Sequence, residues 1–185
     1  MGNFPPNIDF LFVGAGASTT LLLMSMEKHG LLKDKHSLII DPDTKNNNDK
    51  TYCFWSQTNE LISLRCKHLV SHQWNEISVN RNPQETLLSN HYFHIPAIHL
   101  YKELRRLINQ YNFKRINSHV LDISSVNNRV FVKTENQILE SSMVFDSRPP
   151  KYLPLHKDDA YSPLHINRNF IYTIPRRSEI SDITF

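Results

Sequence analysis

Two glycines near the N-terminus constrain the fold of this chain more than any other feature. Gly14 and Gly16 directly follow a mainly apolar run at 8–13, and only four glycines occur in the sequence. The residues at 17–29 have a helical pattern, and a second apolar run follows at 37–40. Strand, glycine turn, helix and strand in this order predict a βαβ unit with two parallel strands.

A glycine turn between a strand and a helix predicts a dinucleotide site. The first glycine permits the tight turn, the second lets the backbone approach a pyrophosphate, and the third allows close packing of helix on strand. Thr19 stands at the third position here, so the fingerprint is incomplete. Because free N–H groups at a helix N-terminus bind phosphate, we predict that Gly14, Ala15, Gly16 and Ala17 contact the pyrophosphate.

Asp41 supports the same interpretation. It ends the second apolar run, about twenty residues beyond the turn, where such folds place the acid that accepts hydrogen bonds from the adenosine ribose. A carboxylate there favours FAD or NAD over a dinucleotide with a 2′-phosphate. The alternative is an aspartate that merely caps a turn. The cofactor interpretation is favoured because the turn, both strands and the acid are in register.

Composition excludes several other classes of protein. The chain has 185 residues, which is enough for one domain, and its 39% hydrophobic and 21% charged residues are typical of globular proteins. The net charge of +3 is spread along the chain, which argues against nucleic acid binding. The uncharged stretch at 10–26 lacks a basic flank and contains two glycines, so we expect a buried strand and helix there.

Cysteine and histidine spacing predicts no metal site. Cys53 and Cys66 match no metal motif, and we expect both to be small buried apolar residues in a reducing, cytoplasmic compartment. His91, His94 and His99 have no carboxylate among them and match no zinc pattern.

The second half of the chain contains one clear helix and several strands. An apolar face of 96–112 predicts an amphipathic helix; its members are Leu100, Leu104, Leu107, Ile108 and Tyr111. Strands are expected over 119–126, 129–135 and 137–145, and Asn127-Asn128 predicts a hairpin turn between the first two. No element is predicted from residue 151 onward.

Two further segments resemble a known family. Residues 47–56 read Asn-Asn-Asp-Lys-Thr-Tyr-Cys-Phe-Trp-Ser, and residues 144–149 read Val-Phe-Asp-Ser-Arg-Pro. Together with Asp41-Pro42-Asp43 they resemble the FAD-dependent lycopene cyclases, which have Asn-Asp-Arg-Thr-Trp-Cys-Phe-Trp-like and Val-Phe-Asp-Ser-Arg-Pro segments. Lys50 replaces the usual arginine and Tyr52 the usual tryptophan. The resemblance covers about residues 8–150.

The resemblance implies a fold and a reaction. The fold would be α/β, a Rossmann-like FAD/NAD(P)-binding βαβ unit with a parallel sheet and a small antiparallel β segment. Residues 1–150 would form an incomplete FAD-binding domain, with 151–185 a poorly patterned segment. Lycopene cyclases close the ends of lycopene into β-rings without net redox change, using reduced FAD with NAD(P)H as the reductant. Asp146 and Arg148 would lie at a strand end near the flavin.

The resemblance also implies partners and leaves the catalytic residues unassigned. The substrate would be lycopene or a related carotenoid, and a membrane-dissolved hydrocarbon implies peripheral membrane contact. The family's catalytic acid lies in a Glu-rich motif of its C-terminal half, and this sequence has no adjacent pair of glutamates. Two alternatives stay open: a truncated, non-catalytic remnant, and a generic FAD- or NAD-binding oxidoreductase module.

Overall fold

A computed structural model describes residues 7–78 and 85–149, together with the backbone of two strands at 161–167 and 170–175. The helices are α1 (Ala17–Lys28), α2 (Leu61–Cys66) and α3 (Ala97–Gln110). The strands are β1 (Ile8–Val13), β2 (Ser37–Ile40), β3 (Thr51–Gln57), β4 (His72–Trp74), β5 (Glu76–Ile77), β6 (Glu85–Thr86), β7 (Asn90–Pro96), β8 (Lys114–Ile116), β9 (Val120–Val126), β10 (Arg129–Thr134), β11 (Ile138–Asp146), β12 (Tyr161–Asn167) and β13 (Phe170–Pro175).

The main sheet has six strands in the order β8-β2-β1-β11-β10-β9. Strands β8, β2, β1 and β11 are parallel, whereas β10 pairs antiparallel with both β11 and β9. The predicted combination of a parallel sheet and an antiparallel segment is therefore confirmed. The antiparallel segment is not a separate unit, because β11 pairs with β1 and continues the parallel sheet.

Apolar residues cover both faces of this sheet, since β1 and β2 alternate their side chains between them. One face packs against α1 and α3; its buried members include Phe12, Leu23, Ile39, Leu104 and Leu107. The opposite face holds Leu11, Val13, Leu38, Ile40, Val132 and Leu139. The predicted apolar face of α3 is confirmed. Strands β1 and β2 are buried along nearly their whole length, which explains why their sequences are continuous apolar runs.

A second, antiparallel sheet has the order β3-β7-β4. Tyr52 and Phe54 of β3 point towards a cluster that includes residues of α1, and Phe54 stacks on Phe93 of β7 with ring centroids 4.9 Å apart. Cys53 points the other way and is exposed, so the prediction that it is buried was wrong. The reason is the two-residue period of a strand: two aromatic neighbours take the inner face. Cys66 is buried as predicted, and burial raises the pKa of its thiol.

Most element boundaries agree with prediction within two residues. Asn127 and Asn128 form the two-residue loop between β9 and β10, and both have positive φ, 49° and 61°, as a type I′ turn requires. Helix α2 was not predicted, because its apolar residues do not follow the pattern of a buried face. The β12–β13 pair lies in the region where the sequence pattern predicted no element.

Two findings concern membranes and metals. Within the described residues, no helix is long and apolar enough to cross a membrane. The same residues contain no group of three or more His, Cys, Asp or Glu side chains arranged to hold a metal ion.

Candidate nucleotide-binding site

The residues predicted to bind a nucleotide follow the carboxyl ends of three neighbouring parallel strands. Gly14 follows β1, Asp41 follows β2, and Asp146 ends β11. The register brings these ends together, because Val13 lies beside Ile40 on one side and beside Asp146 on the other. Ligands of open α/β sheets bind at this edge, where the strand order reverses.

Gly14 occupies a position that no other residue fits without strain. Its φ is +95°, and a Cβ added to it would lie 2.4 Å from the Ser147 Oγ. Its own N–H donates to the carbonyl of Ile40 at 2.8 Å. The first glycine of the turn is therefore required both by backbone conformation and by the close approach of the chain after β11.

Thr19 takes the place of the third glycine and fastens the turn. Its buried hydroxyl donates to the carbonyl of Gly14 at 2.6 Å and lies 3.2 Å from the Ser147 Oγ. Ser147 in turn donates from both its N–H and its hydroxyl to the carbonyl of Val13, each at 2.9 Å. Sequence reasoning missed Ser147, although it stands directly after Asp146 in the 144–149 segment.

The N-terminus of α1 is open to a ligand. Gly16 is its extended N-cap residue, with no side chain capping the helix and no acidic residue in the first turn. A Cβ added to Gly16 would meet no described atom within 4 Å. The positive end of the helix dipole thus faces open space, the arrangement that favours a phosphate group.

Asp41 is held against the glycine turn. Its side chain is buried, and Oδ2 accepts the N–H of Ala15 at 2.6 Å while Oδ1 accepts the N–H of Asp43 at 2.8 Å. The amide of Ala15, which the sequence assigned to the pyrophosphate, is therefore engaged by Asp41 in this structure. The carboxylate keeps further lone pairs with which to accept hydrogen bonds.

Lys45 forms a buried ion pair beside the same carboxylate. Its Nζ lies 3.5 Å from the Asp41 Oδ1 and 3.1 Å from the Asp43 Oδ2, and its backbone has a φ of +58°. The backbone N–H of Lys45, followed by its ammonium, holds the pKa of Asp43 below its usual value despite partial burial. Arg105 of α3 donates to the carbonyl of Lys45 at 3.0 Å. Sequence reasoning missed Lys45; it stands four residues after Asp41 in a loop, and no sequence pattern indicates that it turns back onto that carboxylate.

The 47–56 segment fastens α3 beside this site. The side chain of Asn48 accepts the N–H of Ile98 at 3.2 Å, and Asp49 accepts the hydroxyl of Tyr101 at 3.1 Å. The Lys45 Nζ lies 5.9 Å from the centre of the Tyr101 ring. Burial raises the pKa of Tyr101 and that of Tyr52. The segment that carries the family resemblance therefore contacts residues around Asp41.

Asp146 and Arg148 pair with each other. The guanidinium donates from Nε to Oδ1 at 2.9 Å and from Nη2 to Oδ2 at 2.8 Å, and its Nη1 donates to the carbonyl of Val120 at 2.8 Å. Burial acts to raise the pKa of Asp146, but the hydrogen bonds from Arg148 outweigh it, and this pKa is lowered. The pair thus links the end of β11 to the start of β9 while staying partly exposed.

Comparison with known proteins defines the fold. No family model matches the chain, and no curated protein matches it. Among solved structures, FqzB aligns with a TM-score of 0.54 at 16% identity, over 78% of this chain and 36% of its own. The halogenase PltM aligns with a TM-score of 0.53 at 13% identity, over 78% of this chain and 36% of its own. The peptidyl tryptophan dihydroxylase QhpG aligns with a TM-score of 0.50 at 14% identity, over 85% of this chain and 35% of its own.

These likenesses place the chain in a class of folds. PltM has also been solved in complex with phloroglucinol and FAD. The fold of this chain is the mixed α/β, Rossmann-like fold that it shares with FqzB and PltM. The chain spans about a third of the length of the solved proteins above. At identities this low, the likeness defines a fold and not a reaction.

Proposed function

We propose that this chain binds FAD, with the pyrophosphate at the N-terminus of α1 and the adenosine ribose at Asp41. The observation that supports this most directly is the open, uncapped helix N-terminus next to a buried strand-end carboxylate. A helix N-terminus binds a phosphate group through its N–H donors, and a strand-end carboxylate accepts hydrogen bonds from the ribose hydroxyls. The two meet at one edge of the sheet, as a single dinucleotide requires.

The residues present fit such a cofactor. The space around Gly16 gives the backbone room to approach a pyrophosphate, and the first turn of α1 has no carboxylate to repel it. The Lys45 ammonium keeps the region around Asp41 from being purely anionic. Asp146 and Arg148 lie at the end of the strand beside β1, and we assign them to the flavin side of the site.

At a finer level, we propose that the chain is the FAD-binding part of a lycopene cyclase. Support comes from the sequence of the 47–56 and 144–149 segments. Ser147 contacts the glycine turn, and Asp49 contacts Tyr101, which lies beside Lys45. Reduced FAD, with NAD(P)H as the reductant, would supply the electron-rich ring that stabilises the carbocation of cyclisation. The residues of this chain would bind and orient the cofactor, and none of them is assigned as the catalytic acid. Lycopene dissolved in a membrane would require peripheral contact with it.

A second candidate is the FAD-binding module of an oxidoreductase with another substrate. It is favoured by the fold likeness to a halogenase and a dihydroxylase, whose names indicate unrelated substrates. Both candidates require the same cofactor site, so a flavin-binding experiment tests what they share.

Purified chain, supplied with FAD and freed of unbound ligand, should show the visible absorbance of a bound flavin. Asp41→Ala should lower the affinity for FAD about tenfold or more, because it removes a charge-assisted acceptor for the ribose. The matched control is Asp34→Asn, which removes a carboxylate from a loop. Asp34 has a φ of 57°, which asparagine also adopts, so the backbone should be unaffected.

A wild-type chain that retains no flavin would overturn the cofactor assignment. Conversion of lycopene by the flavin-loaded chain with NADPH would support the cyclase. If the chain binds flavin but leaves lycopene unchanged, these residues by themselves do not cyclise lycopene. Only the assignment as an FAD-binding module is then kept.

A further inference from the structure

The hydroxyl of Tyr52 lies buried near the start of α1 without a hydrogen-bond partner. Its oxygen is inaccessible to solvent and has hydrogen-bond geometry with no described residue. Tyr52 and Ala17, the first residue of α1, pack against the same core cluster. Burial raises the pKa of Tyr52, whereas the Tyr101 hydroxyl and the Ala17 N–H act to lower it, so both groups lie close to the phenol oxygen. A buried polar atom without a partner destabilises a protein, and native structures contain few of them.

The groups around this hydroxyl leave two donors without an acceptor. Tyr101 donates its own proton to the Asp49 Oδ1 at 3.1 Å. Ala17 stands at the first position of α1, where a backbone N–H has no intrahelical acceptor, and no side chain caps this helix. The Tyr52 O–H and the Ala17 N–H are therefore neighbouring donors. A phosphate oxygen has enough lone pairs to accept hydrogen bonds from both.

Lys50 adds a cation on the same side of β3. It directly precedes β3 and extends its pairing with β7, because its carbonyl accepts the Ala97 N–H at 3.1 Å. Side chains of a strand alternate, so Lys50 projects to the same side as Tyr52. The pKa of Asp43 is lowered mainly by the N–H and ammonium of Lys45, and Lys50 adds a smaller electrostatic effect. Asp43 forms its ion pair with Lys45 at 3.1 Å, and Lys50 forms no ion pair within the described residues.

The loop between β2 and β3 attracts anions despite its aspartates. Arg105 donates to the carbonyl of Lys45, and Arg115 donates to the carbonyls of Asp43 and Thr44. Both guanidinium groups bring positive charge to this loop without pairing with an acid of it. The cations at the loop thus outnumber the acids: they are Lys45, Lys50, Arg105 and Arg115, against Asp41, Asp43 and Asp49. Such a balance favours an anionic ligand.

We propose that the side chains of Lys50 and Tyr52, together with the free N–H groups of α1, bind the diphosphate group of the cofactor. The ammonium supplies charge and the phenol supplies a directed hydrogen bond, which is stronger to an anion than to a neutral acceptor. Because the Tyr52 oxygen is covered in this structure, the phenol has to turn slightly as a phosphate oxygen enters. The inference rests on the proposed cofactor site and adds two residues to it that the sequence pattern did not assign.

The test measures binding of ADP, adenosine and inorganic pyrophosphate to the full chain by calorimetry. Lys50→Gln should weaken ADP and pyrophosphate binding about tenfold and leave adenosine binding unchanged, because only the first two ligands carry phosphate. Tyr52→Phe should weaken ADP binding about threefold or more. The same variant should keep or raise the unfolding temperature without ligand, since it removes an unpaired buried hydroxyl. A merely structural hydroxyl would give the opposite result, a lower unfolding temperature with unchanged affinity.

Matched controls are Lys33→Gln and Tyr111→Phe, and both should bind ADP as wild type does. Lys33 is exposed before β2, at the opposite edge of the sheet from Asp41, and the Tyr111 hydroxyl contacts Glu27 near the far end of α1. Wild-type affinity for ADP in both Lys50→Gln and Tyr52→Phe would overturn the inference, as would equal losses for ADP and adenosine.

The outcomes separate this inference from the cofactor assignment. If wild type binds FAD and both site variants bind it equally well, the inference fails and the cofactor site is kept. If wild type retains no FAD but binds pyrophosphate in a way that depends on Lys50 and Tyr52, the cofactor is rejected and the diphosphate site is kept. A wild-type chain that binds neither FAD nor pyrophosphate rejects both.

Discussion

At the scale of single residues, the turn after β1 is held by Gly14, Thr19 and Ser147. The backbone of Gly14 lies close to the Ser147 side chain. The Thr19 hydroxyl donates to the carbonyl of Gly14, and the Ser147 hydroxyl donates to that of Val13. A dinucleotide fingerprint normally keeps a third glycine for close packing. Here a threonine hydroxyl supplies a hydrogen bond to the turn instead, so the incomplete fingerprint is compatible with a well-held turn.

Gly14→Ala should destabilise the protein through two effects. Alanine is strained at a φ of +95°, and its Cβ would lie 2.4 Å from the Ser147 Oγ. We expect the free energy of unfolding to fall by about 2–4 kcal/mol in denaturant titrations. Gly30→Ala isolates the backbone effect, because Gly30 has a φ of +67° with open space around it. That control should lose only about 1 kcal/mol, and equal losses in the two variants would show that the contact with Ser147 has no energetic weight.

Arg148→Gln should change the acid titration of Asp146. The folded-state pKa of Asp146 lies below its ordinary value of 3.8, so the pair contributes stability above about pH 4 and loses it as the pH falls through the folded pKa. Removing the guanidinium should raise this pKa, as measured by carboxyl-carbon NMR. The pair is partly exposed, so the stability involved is at most about 1 kcal/mol. Arg129→Gln, which removes a different surface ion pair, should leave the Asp146 titration unchanged.

At the scale of elements, local sequence accounts for helix α3 and for the β9–β10 hairpin. Helix α3 has its apolar residues at helical spacing, and Leu100, Leu104 and Leu107 of that set are buried. The hairpin turns at two asparagines, which tolerate positive φ better than most residues. Helix α2 differs, because Ser63 and Cys66 of its inner face give no periodic apolar signal.

Asn128→Ala should weaken the hairpin, whereas Asn128→Gly should not. Asn128 has a φ of 61° in a two-residue type I′ turn, where glycine is the preferred residue and alanine is strained. We expect the alanine variant to lose about 1 kcal/mol of unfolding free energy and the glycine variant to equal or exceed wild type. Thermal unfolding followed by circular dichroism measures both. A glycine variant as unstable as the alanine variant would contradict the assigned turn.

At the scale of the whole molecule, the candidate site joins segments that are distant in sequence. Its residues come from the ends of β1, β2 and β11, and the register of the parallel sheet holds them together. A ligand that contacts several strand ends binds the folded chain and not the unfolded one. Ligand binding should therefore stabilise the entire fold.

ADP, the part of FAD that the site would hold, should raise the unfolding temperature. At a free concentration of one hundred times its Kd, the expected gain in unfolding free energy is about 2.7 kcal/mol. Asp41→Ala should require a much higher ADP concentration for the same shift. The two proteins are compared by their ADP-induced shifts in unfolding temperature. This is necessary because Asp41→Ala also removes the acceptor for the Ala15 amide and lowers the stability without ligand. An identical ADP dependence in both proteins would remove Asp41 from the ribose site.

The sequence by itself determined the βαβ unit, the amphipathic α3, the β9–β10 turn and the position of Asp41. Each of these depends on neighbours in sequence: apolar periodicity, glycine at a turn, or an acid at a strand end. The resemblance of residues 47–56 and 144–149 to lycopene cyclases also comes from the sequence. The fold comparisons do not test this resemblance.

Only the tertiary structure decided which distant residues meet. The pairing of β1 with β11 brings Ser147 against Gly14, and the loop after β2 turns Lys45 back onto Asp41. The same holds for Cys53, which faces outward because two aromatic neighbours fill the core, and for α2, whose leucines face solvent because Ser63 and Cys66 are held inside. Local patterns give the period of an element, but its orientation depends on contacts between segments far apart in the chain.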